Sequence, residues 1–106
     1  MFNFFHREPM ASININDIDY IKEKINLIDI RESYEYKSGH HPKAKNIPMN
    51  TLLVDAEQLF DKSQKYYIIC QTGGRSMRTC RSLKQKGFDV VNVLGGISGY
   101  RGKLKI

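Results

Sequence analysis

Apolar residues along the chain gather in three short runs that predict buried β-strands. The runs cover residues 26–30, 66–70 and 90–94, and each is rich in β-branched or aromatic side chains. None of them alternates cleanly between apolar and polar positions, which is typical of strands that are buried on both faces of a sheet. A shorter stretch at residues 12–15 predicts a first strand.

The segments between these runs have a helical character. Residues 76–86 predict an amphipathic helix, because apolar and small residues recur on one face while arginines and lysines can face water. Gly87 follows the lysine-rich last turn, as expected at a helix end. Another helix is expected to begin near Asp17, with Asn16 as its N-cap. Two further helices are expected at residues 32–37 and 54–60.

Strands that alternate with helical segments predict a parallel sheet with helical crossovers. The expected fold class is therefore α/β with three layers, in which helices flank a central parallel sheet of about five strands. The chain has 106 residues, 41% hydrophobic and 26% charged, which is a balance typical of one globular domain. We assign residues 12–106 to that domain and residues 1–11 to an N-terminal arm.

The cysteines, the histidines and the arm bear on location and cofactors. The arm is aromatic but lacks a basic region followed by a long apolar stretch, so neither a signal peptide nor a membrane span is expected. Two cysteines, Cys70 and Cys80, form no Cys-x-x-Cys pair, and such sparse usage suits a reducing compartment, here the cytoplasm. His40 and His41 are adjacent, and adjacent side chains rarely converge on one metal ion. We therefore expect neither a metal nor another cofactor.

The net charge of +6 could indicate nucleic acid, acidic lipid or a small anionic substrate as a partner. The lysines and arginines are spread along the chain, however, and are not interleaved with aromatic residues that could stack on bases. The one dense patch is the short tail at residues 101–105. We therefore expect a solvated basic surface, no nucleic-acid partner and, by default, a monomer.

The residues that carry chemistry lie in the loop after the second apolar run. Cys70 ends that run and would lie beyond the carboxyl end of a strand, where ligand sites of parallel α/β sheets gather. Gly73 and Gly74 let the backbone turn tightly, so that several N–H groups can converge on one point. The start of the following helix and the guanidinium of Arg75 add positive charge. Together these features favour a thiolate at Cys70.

A thiolate in this setting is a nucleophile, and the same cradle would hold a persulfide or an oxyanion. Ser76 is placed to donate a hydrogen bond to the loop or to the sulfur. The alternative, an inert buried cysteine at a strand end, is disfavoured by the glycines, Arg75 and the helix start. Cys80 is expected to be a core residue, since a disulfide with Cys70 would need local unwinding of the helix.

Three segments carry signatures that occur in this order in one known family. The first runs from residue 27 to 32 and continues through Glu35 and residues 39–40 to residues 44–48; the second is 70–76; the third is 87–90 followed by 93–96. On these motifs the chain, from residue 13 to 100, resembles a single-domain member of the rhodanese family of sulfurtransferases. The resemblance implies a rhodanese-like α/β domain.

The resemblance also implies a double displacement at Cys70. The thiolate would attack the outer sulfur of a donor such as thiosulfate, forming a persulfide and releasing sulfite, and a thiophilic acceptor would then take the sulfur. Arg75 would help to place the anionic donor. The residues implied to hold the persulfide or the substrate are Gln71, Thr72, Gly73, Gly74, Arg75 and Ser76.

Asp29, Arg31 and Glu35 match the first signature of the family. By chemistry alone they could be acid–base catalysts or a charge network that braces the strand end beside the catalytic loop. We favour the network, because persulfide transfer needs little proton shuttling and paired charges are commonly structural. His40 would similarly pin the turn that leads to Pro48.

Several functions remain open at this point. An active sulfurtransferase is the leading expectation, and a persulfide carrier or interaction module with little thiosulfate turnover is the alternative. Tyr100 and Gly74 depart from the residues usual in the family and leave donor preference open. A phosphatase or arsenate reductase is disfavoured, since such relatives have five residues between cysteine and arginine, whereas here residues 71–74 separate Cys70 from Arg75. The expected partners are a small anionic sulfur donor such as thiosulfate and a protein persulfide donor or acceptor.

Overall fold

The structure, a computed structural model, describes residues 9–106 and centres on one sheet. All neighbouring strands of this sheet are parallel. In chain order the strands are β1 (Ser12–Asn14), β2 (Asn26–Asp29), β3 (Ala44–Asn46), β4 (Lys65–Ile69) and β5 (Asp89–Leu94). Across the sheet they lie in the order β1, β5, β4, β2, β3. The predicted parallel sheet of five strands flanked by helices is thus confirmed.

Helices connect the strands. They are α1 (Ser33–Lys37), α2 (Met49–Leu59) and α3 (Gly74–Gln85), with two 3₁₀ helices at Ile15–Tyr20 and Ile97–Gly99. The predicted position of α1 is confirmed, whereas α2 and α3 begin earlier than expected. Pro48 is the N-cap of α2 and its fixed φ suits a helix start, a signal that the prediction did not use. Within residues 9–106, no helix has the length and apolarity needed to cross a membrane.

Two sequence predictions differ from the structure. The helix expected from Asp17 is a 3₁₀ helix, and its N-cap is Asn14, whose side-chain oxygen accepts a hydrogen bond from the N–H of Asn16 at 2.9 Å. Strand β3 was not among the predicted strands. It is three residues long and buries one of them, so its sequence contains no apolar run, and it forms by pairing with β2.

Successive side chains of the central strands enter two apolar clusters on opposite faces of the sheet. On one face, Ile28 and Ile68 pack with residues of α2 and α3. On the other face, Leu27 and Ile69 pack with residues of the two 3₁₀ helices. Because side chains alternate along a strand, burial on both faces requires a continuous apolar run. The result is the three-layer arrangement expected from the sequence.

The predicted arm falls mostly outside the described residues, which begin at residue 9. Its described end joins the fold: Met10 packs against the cluster beneath α2 and α3, and the carbonyl of Ala11 accepts a hydrogen bond from the N–H of Asn92 at 2.8 Å. The boundary at residue 12 stays a prediction.

Strand order brings the candidate site together. Strand β4 lies between β2 and β5, and all three run in the same direction. Their carboxyl ends therefore meet at one edge of the sheet, so the segments that follow Asp29, Ile69 and Leu94 are neighbours. This edge is where ligand sites of parallel α/β sheets form.

Candidate active site

The thiol of Cys70 lies in a cradle of backbone N–H groups. Cys70 directly follows β4, and the residue is only 1% exposed. The N–H groups of Gly73 and Ser76 lie 3.1 Å and 3.3 Å from its Sγ, and the N–H of Thr72 also donates towards it. The loop closes because Gly73 adopts a φ of +117°, a conformation that favours glycine. The predicted convergence of N–H groups on this sulfur is present in the structure.

The hydroxyl of Ser76 can form a hydrogen bond with Cys70 both when the thiol is protonated and when it is a thiolate. Its Oγ lies 3.4 Å from the Sγ of Cys70 and 3.0 Å from the carbonyl oxygen of Gly73. A protonated thiol can donate to this Oγ while the hydroxyl donates to the carbonyl. A thiolate can instead accept the hydroxyl proton after a simple rotation of the O–H bond. Deprotonation therefore leaves no group in the cradle without a partner.

Opposing effects set the pKa of the Cys70 thiol. Burial raises the pKa, whereas hydrogen bonds from the hydroxyl and N–H of Ser76 and from the N–H groups of Gly73 and Thr72 lower it. The net result is a pKa below the ordinary value of a cysteine. For Cys80, burial and the nearby charge of Cys70 raise the pKa to about 12. Cys80 packs in the apolar cluster beneath α3, in agreement with the predicted core role.

The difference in pKa between Cys70 and Cys80 predicts how the thiols of the protein titrate. Thiolate absorbance in the ultraviolet should rise with pH through a midpoint below about 8.5, the value of an unperturbed cysteine. The signal should be lost in Cys70→Ser and unchanged in Cys80→Ala, because Cys80 stays protonated over this range. A midpoint at or above the unperturbed value in the Cys80→Ala protein would contradict the cradle as a thiolate site.

Arg75 makes an ion pair with Glu35 of α1. Its Nη1 and Nη2 atoms donate to the two carboxylate oxygens of Glu35, each at 3.0 Å. The same carboxylate accepts the N–H of Glu32 in the capping box of α1, which fixes its position. The hydrogen bond from Arg75 lowers the pKa of Glu35, so the pair stays charged at neutral pH. An anion that enters the loop thus meets a guanidinium already engaged by a carboxylate.

Asp29 and Arg31 form a second, buried ion pair. The Nε of Arg31 lies 3.1 Å from both carboxylate oxygens of Asp29, and its Nη2 lies 2.9 Å from Oδ2. The guanidinium also donates to the side-chain oxygen of Gln71 at 3.1 Å and to the carbonyl of Gly39 at 2.7 Å. It therefore links the end of β2 to the loop of residues 70–76 and to the turn before β3. The supporting network expected from the sequence consists of two separate ion pairs.

His40 and His41 lie in the turn between α1 and β3. The Nδ1 of His40 donates to the carbonyl of Tyr36 at 2.9 Å, and the backbone of His40 exchanges two hydrogen bonds with Lys105. His41 is 1% exposed, and its Nε2 lies 2.8 Å from the carboxylate of Asp19. Across residues 9–106, no three histidine, cysteine or acidic side chains are grouped so that they could hold a metal ion.

The 3₁₀ helix after β5 supports the loop of residues 70–76 through hydrogen bonds to its backbone. The N–H of Ile97 donates to the carbonyl of Cys70 at 3.0 Å, and the N–H and hydroxyl of Ser98 donate to the carbonyl of Gln71 at 3.0 Å and 2.9 Å. Gly96 lies so close that an added Cβ would be 2.4 Å from that Gln71 oxygen. Ser98 was not among the residues expected at the site. Gly95 and Gly96 directly follow β5, the strand beside β4, and this glycine pair was the sequence signal that could have indicated a contact with the loop.

The chain is similar in sequence to known proteins over most of its length. The profile of the rhodanese-like domain matches residues 14–103. The chain is 41% identical over 83 residues to the putative sulfurtransferase YtwF of Bacillus subtilis, which covers 78% of this chain and 80% of that protein. It is 37% identical over 82 residues to the putative sulfur carrier protein YrkF of the same organism, covering 76% of this chain but 44% of that longer protein.

Solved structures share the fold. The crystal structure of a rhodanese-like domain protein from Staphylococcus aureus superposes with a TM-score of 0.81 at 34% identity, covering 92% of this chain and 98% of that one. The human single-domain sulfurtransferase TSTD1 matches with a TM-score of 0.72 at 18% identity, covering 86% of this chain and 95% of that one. The second comparison bears on the fold alone.

Proposed function

The chain belongs to the rhodanese-like domain family, and on that premise we propose that it is a sulfurtransferase that carries sulfane sulfur as a persulfide on Cys70. The observation that carries the proposal is the set of donors around this thiol, which favours its anionic form. A thiolate is the nucleophilic form of cysteine. Relatives named as a putative sulfurtransferase and a putative sulfur carrier are consistent with this chemistry.

Each half-reaction uses groups of the loop. The thiolate of Cys70 attacks the outer sulfur of thiosulfate; a sulfur–sulfur bond forms to Cys70, the one inside thiosulfate breaks, and sulfite leaves with its electron pair. The terminal sulfur of the persulfide is anionic and lies near N–H groups of residues 72–76, which stabilise it as they stabilise the thiolate. A thiophilic acceptor then attacks this terminal sulfur and forms a bond to it. The sulfur–sulfur bond of the persulfide breaks, and its electron pair stays on the Sγ of Cys70.

Intact-mass spectrometry tests the proposal. Incubation with thiosulfate should add the mass of one sulfur atom, and cyanide should remove it. Cys70→Ser should gain nothing, whereas Cys80→Ala should load like the wild type, because Cys80 is a core residue. Absence of any cyanide-labile adduct on the wild type, with thiosulfate or with a persulfide donor, would reject the proposal.

A second candidate is a persulfide carrier that turns over thiosulfate slowly. The bidentate contact between Glu35 and Arg75 favours it, because the loop's arginine is already paired with a carboxylate when a dianionic donor arrives. In this case a protein persulfide would supply the sulfur, or a protein thiol would accept it, in a reducing compartment such as the cytoplasm. Steady-state turnover with thiosulfate at rates ordinary for enzymes would argue against the carrier; loading without turnover would favour it.

A further inference from the structure

Helix α3, which begins at the catalytic loop, is basic on its outer side. It contains three arginines and one lysine and no acidic residue. Arg78 and Arg81 are exposed and lie three positions apart, on the side of the helix opposite its buried residues. Neither arginine makes a salt bridge within the part of the chain that the structure describes. We call this pair the α3 basic face.

The α3 basic face lies within the first turns of the helix that follows Cys70. With a rise of 1.5 Å per residue, Arg78 and Arg81 are about 6 Å and about 10 Å along the helix from Gly74. The sulfur of Cys70 is buried, and the loop around it leads directly into α3, so we place the approach of a partner thiol over this loop. The residues around that thiol would then cover the first turns of α3.

We propose that the α3 basic face docks an acidic segment next to the cysteine of a protein sulfur donor or acceptor, an inference that rests on the proposed function. Guanidinium groups pair with carboxylates in a bidentate geometry and are enriched among the residues that dominate interfaces. Charge complementarity would speed encounter and orient the partner thiol towards Cys70. The net charge of +6 acts in the same direction at longer range.

The transfer step conserves atoms and electrons. The partner thiolate attacks the terminal sulfur of the Cys70 persulfide, and a sulfur–sulfur bond forms on the partner. The bond between that sulfur and the Sγ of Cys70 breaks, and its electron pair stays on Cys70. No external oxidant or reductant is needed.

Two synthetic peptides of equal length serve as probes, one with its cysteine flanked by glutamates and one with lysines in the same places. The protein is first loaded with thiosulfate, and transfer of sulfur to each peptide is followed by intact mass. At low salt the acidic peptide should accept sulfur roughly tenfold faster than the basic peptide. The difference should shrink as salt is raised, because screening weakens contacts between exposed charges.

Charge-reversal variants test whether Arg78 and Arg81 cause the preference for the acidic peptide. Arg78→Glu/Arg81→Glu should abolish or invert the preference for the acidic peptide. Lys22→Glu/Lys24→Glu is the matched control: it makes the same change in net charge before β2, at the opposite edge of the parallel sheet from Cys70, and should keep most of the preference. Thermal unfolding and thiosulfate loading of both variants verify that the fold and the thiol are intact.

The outcomes separate the two proposals. Failure of the wild type to load sulfur from any donor rejects the proposed function. Normal loading with equal rates for the two peptides overturns the docking surface alone. An equal loss of preference in the two charge-reversed variants also overturns it, because net charge rather than the α3 basic face would then account for the effect.

Discussion

Gly96→Ala is expected to disrupt the loop of residues 70–76 and to abolish the proposed sulfur loading at Cys70. The added Cβ would lie 2.4 Å from the carbonyl oxygen of Gln71 and 2.6 Å from that of Cys70, which are backbone atoms that cannot swing away. The φ of +59° and ψ of −165° at this glycine also fall in a region that other residues occupy at a cost of about 1–3 kcal/mol. Overpacking of a tight site adds about 1–3 kcal/mol.

Thermal unfolding and thiosulfate loading measure this effect. The free energy of unfolding should fall by roughly 2–6 kcal/mol, and each kcal/mol lowers the Tm by roughly 4–8 °C in a domain of this size. Gly74→Ala is the control, because a Cβ there meets no atom within 4 Å and α3 begins at this residue. Its stability should change by less than about 0.5 kcal/mol. A Gly96→Ala protein with the wild-type Tm would contradict the close packing of the 3₁₀ helix beneath the loop.

Asp29→Asn is expected to destabilise the domain by roughly 3–5 kcal/mol, the usual cost of removing one partner from a buried ion pair. Asp29 is 0% exposed and Arg31 is 3% exposed, so the guanidinium would remain buried without its counter-charge. Asparagine has nearly the same shape, so the loss would reflect charge and hydrogen bonding rather than a cavity. Urea unfolding, followed by circular dichroism, measures the change.

An exposed pair supplies the comparison for Asp29→Asn. Glu57 and Lys62 lie 3.4 Å apart, with side chains 67% and 49% exposed. Glu57→Gln should cost less than about 1 kcal/mol, since water solvates both charges. If Asp29→Asn proved no more destabilising than Glu57→Gln, the buried pair would not be what holds Arg31 against the loop.

Local signals in the sequence were sufficient to predict much of the site. The convergence of N–H groups on Cys70 follows from a strand end, a glycine turn and a helix start within seven consecutive residues, 70–76, and such short-range geometry is read directly from spacing. The burial of Cys80 follows in the same way from helical periodicity. The parallel sheet was predictable because strands buried on both faces need apolar runs. Strand β3 escaped prediction because it has no apolar run. The helix expected from Asp17 is present, but it is a 3₁₀ helix that begins at Ile15.

The tertiary structure alone decided how Arg75 is paired and what supports the loop. Arg75 is 40 positions from Glu35, and the same separation divides Arg31 from Gln71, so no local pattern relates either pair. Ser98 reaches the carbonyl of Gln71 across 27 positions for the same reason. The sequence determined the position of Cys70 at a strand end and its amide cradle, since these depend on neighbours along the chain. Strand order determined the pairing of Arg75 with Glu35 and the contacts of Ser98 with the loop, because it brings the carboxyl ends of β2, β4 and β5 to one edge.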